Sequence, residues 1–365
     1  MSHARPGAHR SRGHRRAARA KRWTLGLTLA ILLSLAAWPV LDHFGVFSDD
    51  GAPISFAQGG ATGTGTQRRA ATSDVRMPTG PAAAFSVAAT VPEDNTKIAV
   101  TTLKGKRSGF TGRVWVWVPP QYKEARYAKS GFPVMIALPG GAGYPVNYWM
   151  GTDLKLEASI DKWSRQGKSL PFILAMPVLN PHPDTGGLYW DASDIPGQPR
   201  MGTWLTEDVP NLIRANFRTI KSRDGWAVMG SSTGGFAALK SVLQKPHEFK
   251  AAIASGPDIT PDSRLWTGHK RQEQANNPTL LAPRLIAAER PDVYIAFQVG
   301  TVGSDATAKP KIEDFVRRYT RGPVRTMLSV IQGGEHNAHT YVPNMVNGGL
   351  IQWISKHMRG PVPAS

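Results

Sequence analysis

The stretch "GWAVMGSSTGGFAALKSVL", residues 225–243, passes from an apolar segment through a cluster of serines and glycines into a helical pattern. Gly230, Ser232 and Gly234 form a Gly-x-Ser-x-Gly motif between a predicted strand and a predicted helix. In a nucleophile elbow the serine occupies a strained turn, and its neighbours are small because the helix folds back against the strand. The spacing predicts Ser232, and not Ser231, as the exposed nucleophile. The alternative is an ordinary glycine-rich turn in a chain with 37 glycines.

A serine hydroxyl is a poor nucleophile until a base takes its proton, so a histidine is expected later in the chain. The segment "IQGGEHNAHTY" supplies His336 and His339 just after a late predicted strand. His336 is preferred because it lies nearer the strand end, where catalytic groups of parallel sheets cluster. His339 remains the alternative. The order "EHNAH" reverses the zinc motif HExxH and the chain has no cysteine, so neither a metal nor another cofactor is predicted.

The acid that orients the histidine should lie between the serine and the histidine, beyond a strand end. The segment "FQVGTVGSD" places Asp305 in a predicted loop after the strand 293–299. Glu313 and Asp314 are alternatives, but they fall inside a predicted amphipathic helix, where a charged residue more often faces solvent. Asp305 is therefore the predicted acid.

A strand that ends in two glycines predicts the oxyanion hole. The segment "VMIALPGGAGY" reaches Gly140 and Gly141 at the position where a backbone N–H group is offered toward an elbow. Gly141 and Thr233 are the predicted donors, through their backbone N–H groups. An ordinary glycine turn is the alternative.

Seven apolar segments alternate with amphipathic ones along the chain. Near-continuous apolar strands are typical of a parallel sheet that is covered on both faces. The predicted strands are 112–120, 132–141, 171–180, 225–230, 249–256, 292–300 and 325–334, with helices predicted at 203–217 and 307–320. The segments "KIAVTTL" and "GRVWVWV" lie close together and predict an antiparallel pair. The fold class is therefore α/β, a mostly parallel central sheet with helices on both faces.

The amino terminus carries the signals for location. Residues 1–22 hold eight lysines and arginines and no acid, and residues 23–41 are an uncharged run of 19. Such a run spans about 28 Å as a helix, which matches a bilayer core. The positive-inside rule then predicts a cytoplasmic basic tail, a single transmembrane helix and an extracytoplasmic domain at the cell membrane. A long, cleaved signal peptide, which would give a secreted protein, is the alternative.

The net charge of +18 does not indicate a nucleic-acid partner. Without the eight charges of the basic tail it is +10, and the remaining lysines and arginines are scattered rather than grouped in a stripe. Residues 42–91, rich in Gly, Ala, Thr and Pro, are predicted to be a flexible linker. Residues 92–358 are predicted to be the folded domain.

The chain from about Gly112 to Trp353 resembles the bacterial esterase D and antigen 85 (mycolyltransferase) branch of the α/β-hydrolases. The matching segments are "VWVWVPPQY", "IALPGGAG", "TWLTEDVPNLIRANF", "AVMGSSTGGFAAL", "FQVGTVGSD" and "GGEHNAHTY". The resemblance implies the α/β-hydrolase fold and a triad of Ser232, Asp305 and His336. It also implies that the backbone N–H groups predicted above form the oxyanion hole.

Three positions depart from the pattern of that family. Thr233 stands where the family usually has methionine, and Ala338 and Tyr341 replace tryptophans often found after the histidine. The pocket for the acyl group is therefore expected to differ from that of the mycolyltransferases.

These residues predict acyl transfer through a serine ester, from a small-molecule, lipid or sugar ester. Hydrolysis by water is the preferred reaction. The alternatives are transfer to an envelope sugar and a degenerate domain that only binds the cell envelope. Trp149, Trp204 and Trp266 are candidates to line a cleft, and 261–291 is predicted to be a helical insertion that acts as a lid. The sequence leaves the oligomeric state open.

If residues 23–41 are an uncleaved anchor, the full chain should sediment with membranes after cell lysis. A protease added to intact spheroplasts should then degrade the domain and spare a cytoplasmic marker protein. Recovery of only a shortened, secreted form would contradict the anchor and support cleavage.

Overall fold

The computed structural model describes residues 51–56, 73–183 and 187–363. The strands in these ranges are β1 (Pro53–Ile54), β2 (Val75–Arg76), β3 (Phe85–Thr90), β4 (Lys97–Lys104), β5 (Thr111–Trp117), β6 (Val134–Leu138), β7 (Ile173–Pro177), β8 (Thr219–Ile220), β9 (Trp226–Ser231), β10 (Ala251–Ser255), β11 (Val293–Gly300) and β12 (Val324–Ile331).

The helices alternate with the later strands. They are α1 (Leu156–Arg165), α2 (Met201–Thr203), a π-helical turn (Trp204–Asp208) that continues into α3 (Val209–Asn216), α4 (Thr233–Gln244), α5 (Lys270–Ala275), α6 (Pro278–Ala287), α7 (Ser304–Tyr319), α8 (Ala338–Asn347) and α9 (Leu350–His357). Short 3₁₀ turns lie at Pro120–Lys123, Ala125–Tyr127, Tyr148–Met150, Thr152–Leu154, Arg223–Gly225 and Arg264–Trp266.

One mixed sheet joins most of the described strands, in the order β1-β3-β4-β5-β7-β6-β9-β10-β11-β12. From β7 to β12 all neighbours are parallel, whereas β1, β3, β4 and β5 pair antiparallel. Strands β6, β7, β9 and β10 are buried along their whole length, so the middle of the sheet is covered on both faces. The predicted mostly parallel sheet and the antiparallel pair β4–β5 are confirmed.

The folded domain begins earlier than residue 92, because strands β1, β2 and β3 lie within the predicted linker 42–91. Strand β3 pairs with β1 and β4 inside the main sheet, and β2 pairs with β8. The Asp74 carboxylate accepts hydrogen bonds from the Ser222 N–H (2.9 Å) and from Arg359 Nη1 (2.9 Å). These strands are short and weakly apolar. They form because distant segments of the chain pair with them, and amino-acid composition does not predict such pairing.

The predicted basic tail and transmembrane run, 1–22 and 23–41, lie outside the described residues. Across the part of the chain that the structure does describe, every helix is too short or too polar to span a bilayer.

Three tryptophans predicted as candidates for a cleft lie in the core instead. Trp149, Trp204 and Trp266 are at most 4% exposed. Their indole N–H groups donate to Leu138 O (2.8 Å), Val178 O (3.1 Å) and Asp191 Oδ2 (2.6 Å), respectively. A buried indole needs such a partner, so these rings are fixed structural elements. The segment 261–291 is helical as predicted, through α5 and α6, and its role as a lid stays a prediction.

One buried carboxyl group opposes the stability of the fold at neutral pH. Glu157 on α1 is 1% exposed, and neither of its carboxyl oxygens has a hydrogen-bond partner among the described residues. Burial raises the pKa of Glu157 to about 8, and the nearby carboxylates of Asp94, Asp153 and Glu93 add to the shift. Glu157 is therefore mostly protonated in the folded chain at pH 7.

The raised pKa of Glu157 predicts how stability depends on pH. The ordinary pKa of a glutamate is 4.5. Between this pH and about pH 8, the folded state holds a proton on Glu157 that the unfolded state has lost. The free energy of unfolding therefore falls as pH rises through this window. Glu157→Gln should remove this decrease in the free energy of unfolding. It should stabilise the chain by roughly 3 kcal/mol at pH 8, with little effect at pH 4.5.

Urea denaturation at the two pH values measures this effect, with Glu313→Gln, an exposed carboxyl on α7, as the matched control. An equal gain for Glu157→Gln at both pH values would show that ionisation of Glu157 is not the cause.

Candidate active site

Ser232 lies in a strained turn between β9 and α4. Its backbone angles, φ 54° and ψ −123°, are rarely adopted by residues with a side chain. A Cβ on Gly230 would lie 2.3 Å from Gly234 O, and one on Gly234 would lie 2.3 Å from Leu138 O. Both glycines are therefore required for α4 to approach the sheet. The structure has the strand, turn and helix that the motif predicts.

The two adjacent serines have different surroundings. Ser231 is buried, and its hydroxyl forms a short hydrogen bond with the hydroxyl of Tyr148. The Tyr148 oxygen also accepts the Gly140 N–H (2.8 Å). Ser232 is half-buried, and its backbone N–H donates to Ser255 O (2.9 Å). Ser231 is therefore part of the internal packing, and Ser232 is the serine at the apex of the turn.

Asp305 and His336 form a direct pair beyond the ends of β11 and β12. The Asp305 carboxylate is fully buried, and its Oδ1 lies 2.5 Å from His336 Nδ1. The sequence predicts a loop at Asp305, but the structure places this residue in the first turn of α7. Gly303, with φ 65°, makes the turn that lets this helix begin at Ser304.

The second carboxylate oxygen of Asp305 is also fully engaged. Oδ2 accepts the Gly300 N–H (2.5 Å) and the Tyr341 hydroxyl (2.7 Å). Burial acts to raise the pKa of Asp305, but the hydrogen bonds from His336, Tyr341 and Gly300 outweigh it and hold the pKa below its usual range. Asp305 is therefore a carboxylate at neutral pH, as the partner of an imidazole must be.

The alternative acids and base lie elsewhere. Glu313 and Asp314 form ion pairs on the solvent side of α7. His339 is 68% exposed, and its Nε2 lies 3.7 Å from Asp153 Oδ2. In the described part of the chain, none of these groups forms an ion pair with Asp305 or His336.

Gly256 connects the serine to this pair. It follows Ser255, whose carbonyl oxygen accepts the Ser232 N–H. A Cβ on Gly256 would lie 2.6 Å from Asp305 Oδ1 and 2.7 Å from His336 Nδ1. The structure therefore places the predicted serine, acid and base at the carboxyl edge of β9 to β12, where the Gly256 backbone lies against the acid–base pair.

The predicted oxyanion donors lie beside Ser232. Gly141 has φ 63°, and no atom lies within 4 Å of the place where a Cβ would be, so this backbone faces open space. Thr233 Oγ1 donates to Gly141 O (2.9 Å), which ties the two segments together. Neither the Gly141 N–H nor the Thr233 N–H donates to another residue in the described ranges. Both are therefore free to bind a developing oxyanion.

The sequence analysis missed the parts played by two tyrosines. Tyr148 holds Gly140 and Ser231, and Tyr341 contacts both members of the acid–base pair. No motif marks Tyr148. In the sequence Tyr341 is marked only as a departure from a family pattern, and no spacing rule links it to His336, which precedes the helix.

A metal site has no donor set in the described part of the chain. No three His, Cys, Asp or Glu side chains are arranged there to hold an ion. The two histidines of "EHNAH" diverge, because His336 faces Asp305 while His339 pairs with Asp153 at the surface.

The sheet order and the elbow define an α/β-hydrolase fold, with serine, acid and histidine in the chain order of that fold. Residues 116–349 match the family model described as "Putative esterase", and the chain belongs to this esterase family.

Similar proteins agree with the fold. The chain is 25% identical over 266 residues to an uncharacterized protein of Corynebacterium glutamicum, covering 70% of this chain and 60% of that protein. A ferulic acid esterase structure superposes with a TM-score of 0.58 at 15% identity, covering 72% of this chain and 99% of that one. An S-formylglutathione hydrolase from Agrobacterium tumefaciens superposes with a TM-score of 0.55 at 17% identity, covering 72% of this chain and 96% of that one.

The chain spans less than two thirds of the length of the curated relatives it matches. Since the solved structures are less than 25% identical to it, they establish the fold and not the reaction. The expected likeness to antigen 85 stays a prediction.

The elbow geometry predicts which serine reacts with a fluorophosphonate probe. Ser232→Ala should abolish labelling, because it removes the hydroxyl at the apex of the turn. Ser231→Ala, the matched control one residue away, should retain labelling, because the Ser231 hydroxyl is buried and hydrogen-bonded to Tyr148. Gel fluorescence and mass spectrometry of the labelled peptide measure both. Labelling that survives in Ser232→Ala would assign the nucleophile to another residue.

Proposed function

We propose that this protein is a serine esterase that hydrolyses carboxylic esters through an acyl-enzyme on Ser232. The observation that carries the proposal is the convergence of three parts at one sheet edge. These are Ser232 on a strained elbow, the hydrogen-bonded Asp305–His336 pair, and two unengaged backbone N–H groups beside the serine. Membership of the esterase family supports the same reaction.

In the acylation step, Ser232 Oγ attacks the carbonyl carbon of the ester and passes its proton to His336 Nε2. The carbonyl oxygen becomes an oxyanion that accepts hydrogen bonds from the Gly141 and Thr233 N–H groups. The bond to the leaving alcohol then breaks, and the alkoxide takes the proton from His336. Asp305 stays ionised and holds the imidazole through Nδ1.

Deacylation repeats these steps with water as the nucleophile. Water gives a proton to His336 Nε2 and attacks the acyl carbon, and the oxyanion is bound by the same N–H groups. The bond from the acyl carbon to Ser232 Oγ breaks, Ser232 regains its proton from His336, and the free acid leaves.

Water is the acceptor that this proposal favours. The backbone at Gly141 borders open space, which gives solvent access to the acyl group. A transferase must instead position a hydroxyl and limit the access of water until it arrives. Transfer to an envelope sugar is the alternative outcome of the experiment below.

For the location we propose a membrane-anchored enzyme whose domain lies outside the cytoplasm. The support is the charge-free run 23–41, preceded by the basic tail 1–22. Small-molecule esters are the general substrate class, and lipid or sugar esters of the cell envelope are the specific proposal.

Product partitioning tests the reaction. The detergent-solubilised full chain is given a medium-chain acyl ester, with and without excess trehalose or glucose. We expect free acid to exceed acylated sugar. Ser232→Ala should lower the rate of both products by at least about 10³-fold, because the nucleophile is lost.

Acylated sugar in excess of free acid, abolished by Ser232→Ala, would replace the hydrolase with a transferase. If short p-nitrophenyl esters are also untouched and wild type matches Ser232→Ala, the chain is a degenerate binding module.

A further inference from the structure

Tyr341 lies directly behind the acid–base pair. It belongs to α8, five residues after His336, and is 1% exposed. Its hydroxyl oxygen lies 2.7 Å from Asp305 Oδ2 and 3.0 Å from His336 Nδ1. The side chain therefore touches both partners of the pair while lying out of reach of a substrate at Ser232.

The available protons determine what the hydroxyl does. Asp305 Oδ1 accepts the His336 Nδ1–H, and Oδ2 can only accept, so the single hydroxyl proton of Tyr341 goes to Oδ2. The hydroxyl oxygen then faces Nδ1 as a second acceptor. Burial, followed by the hydrogen bond to Asp305, raises the pKa of Tyr341 far above its usual value, so the hydroxyl remains a donor.

The Gly256 backbone lies against this hydroxyl. A Cβ on Gly256 would lie 2.3 Å from the Tyr341 oxygen, so the hydroxyl occupies space that a glycine leaves open. The Asp305 Oδ2 atom also accepts the Gly300 N–H (2.5 Å). Asp305 is thus held on both oxygens, and its plane is fixed relative to the imidazole.

We propose that Tyr341 is a positioning residue whose hydroxyl bridges Asp305 and His336 and fixes the orientation of the carboxylate relative to the imidazole. This inference rests on the proposed esterase reaction. Its consequence is that the hydroxyl supports kcat and not KM, because it orients the acid–base pair without contacting the substrate.

The hydrogen bonds give the direction of the effect on kcat. Without the hydroxyl, Asp305 Oδ2 keeps only the Gly300 N–H, and the carboxylate is held less firmly against the imidazole. The imidazole is then oriented less well for proton transfer, and kcat falls.

Tyr341→Phe in the full chain tests the proposal against Tyr122→Phe. Tyr122 is also buried, and its hydroxyl accepts the Arg218 N–H (2.9 Å) away from the site. For p-nitrophenyl acetate we expect Tyr341→Phe to lower kcat about tenfold and leave KM within about twofold. Tyr122→Phe should change neither kcat nor KM.

A second measurement does not depend on turnover. NMR of histidine-labelled chain follows the Nδ1–H signal of His336, assigned through His336→Gln. This signal should move in Tyr341→Phe, which removes one of the two oxygens that face Nδ1, and stay in place in Tyr122→Phe. An unchanged signal in Tyr341→Phe, with kcat reduced no more than in Tyr122→Phe, would overturn the proposal. A wild type that hydrolyses no ester would refute the proposed function, while the NMR signal still decides the role of Tyr341.

Discussion

The approach of α4 to the sheet is the contact on which the site depends. Gly234 lies so near Leu138 O that any side chain there would overlap with β6, and Gly230 is as close to Gly234. This approach forces the chain through a tight turn, and Ser232 takes positive φ at its apex. The strain is kept because buried strands on both sides fix the ends of the turn. A chain unable to pack here would not hold Ser232 at the apex of this turn.

The parallel strands convert this local turn into a site. Strands β9 to β12 end at one edge, so Ser232, Asp305 and His336 meet although they are far apart in sequence. The Ser232 N–H bonds to Ser255 O, and the next residue, Gly256, is bare enough for the imidazole to lie against its backbone. Glycines therefore serve twice at this edge, first to admit a helix and then to admit the acid–base pair.

What the sequence predicted well was local, and what it missed depended on packing. The strands, the elbow and the order of Ser232, Asp305 and His336 follow from short motifs beside apolar segments, which need no knowledge of distant contacts. The place of β3 in the sheet and the burial of the tryptophans depend on partners far along the chain. The sequence predicts a loop at Asp305, because Gly303 directly precedes the first turn of α7 and glycine is typical of loops.

The departures from the family pattern acquire a different meaning in the structure. Thr233 and Tyr341 were expected to change the acyl pocket, yet each directs its hydroxyl to a group within the site. Thr233 ties the two oxyanion segments together at Gly141 O, and Tyr341 is buried against Asp305 with no surface to offer a substrate. A methionine or a tryptophan in their places would lack these hydroxyls. Both departures therefore place a hydroxyl on a group of the candidate site, and their effect on the acyl pocket stays a prediction.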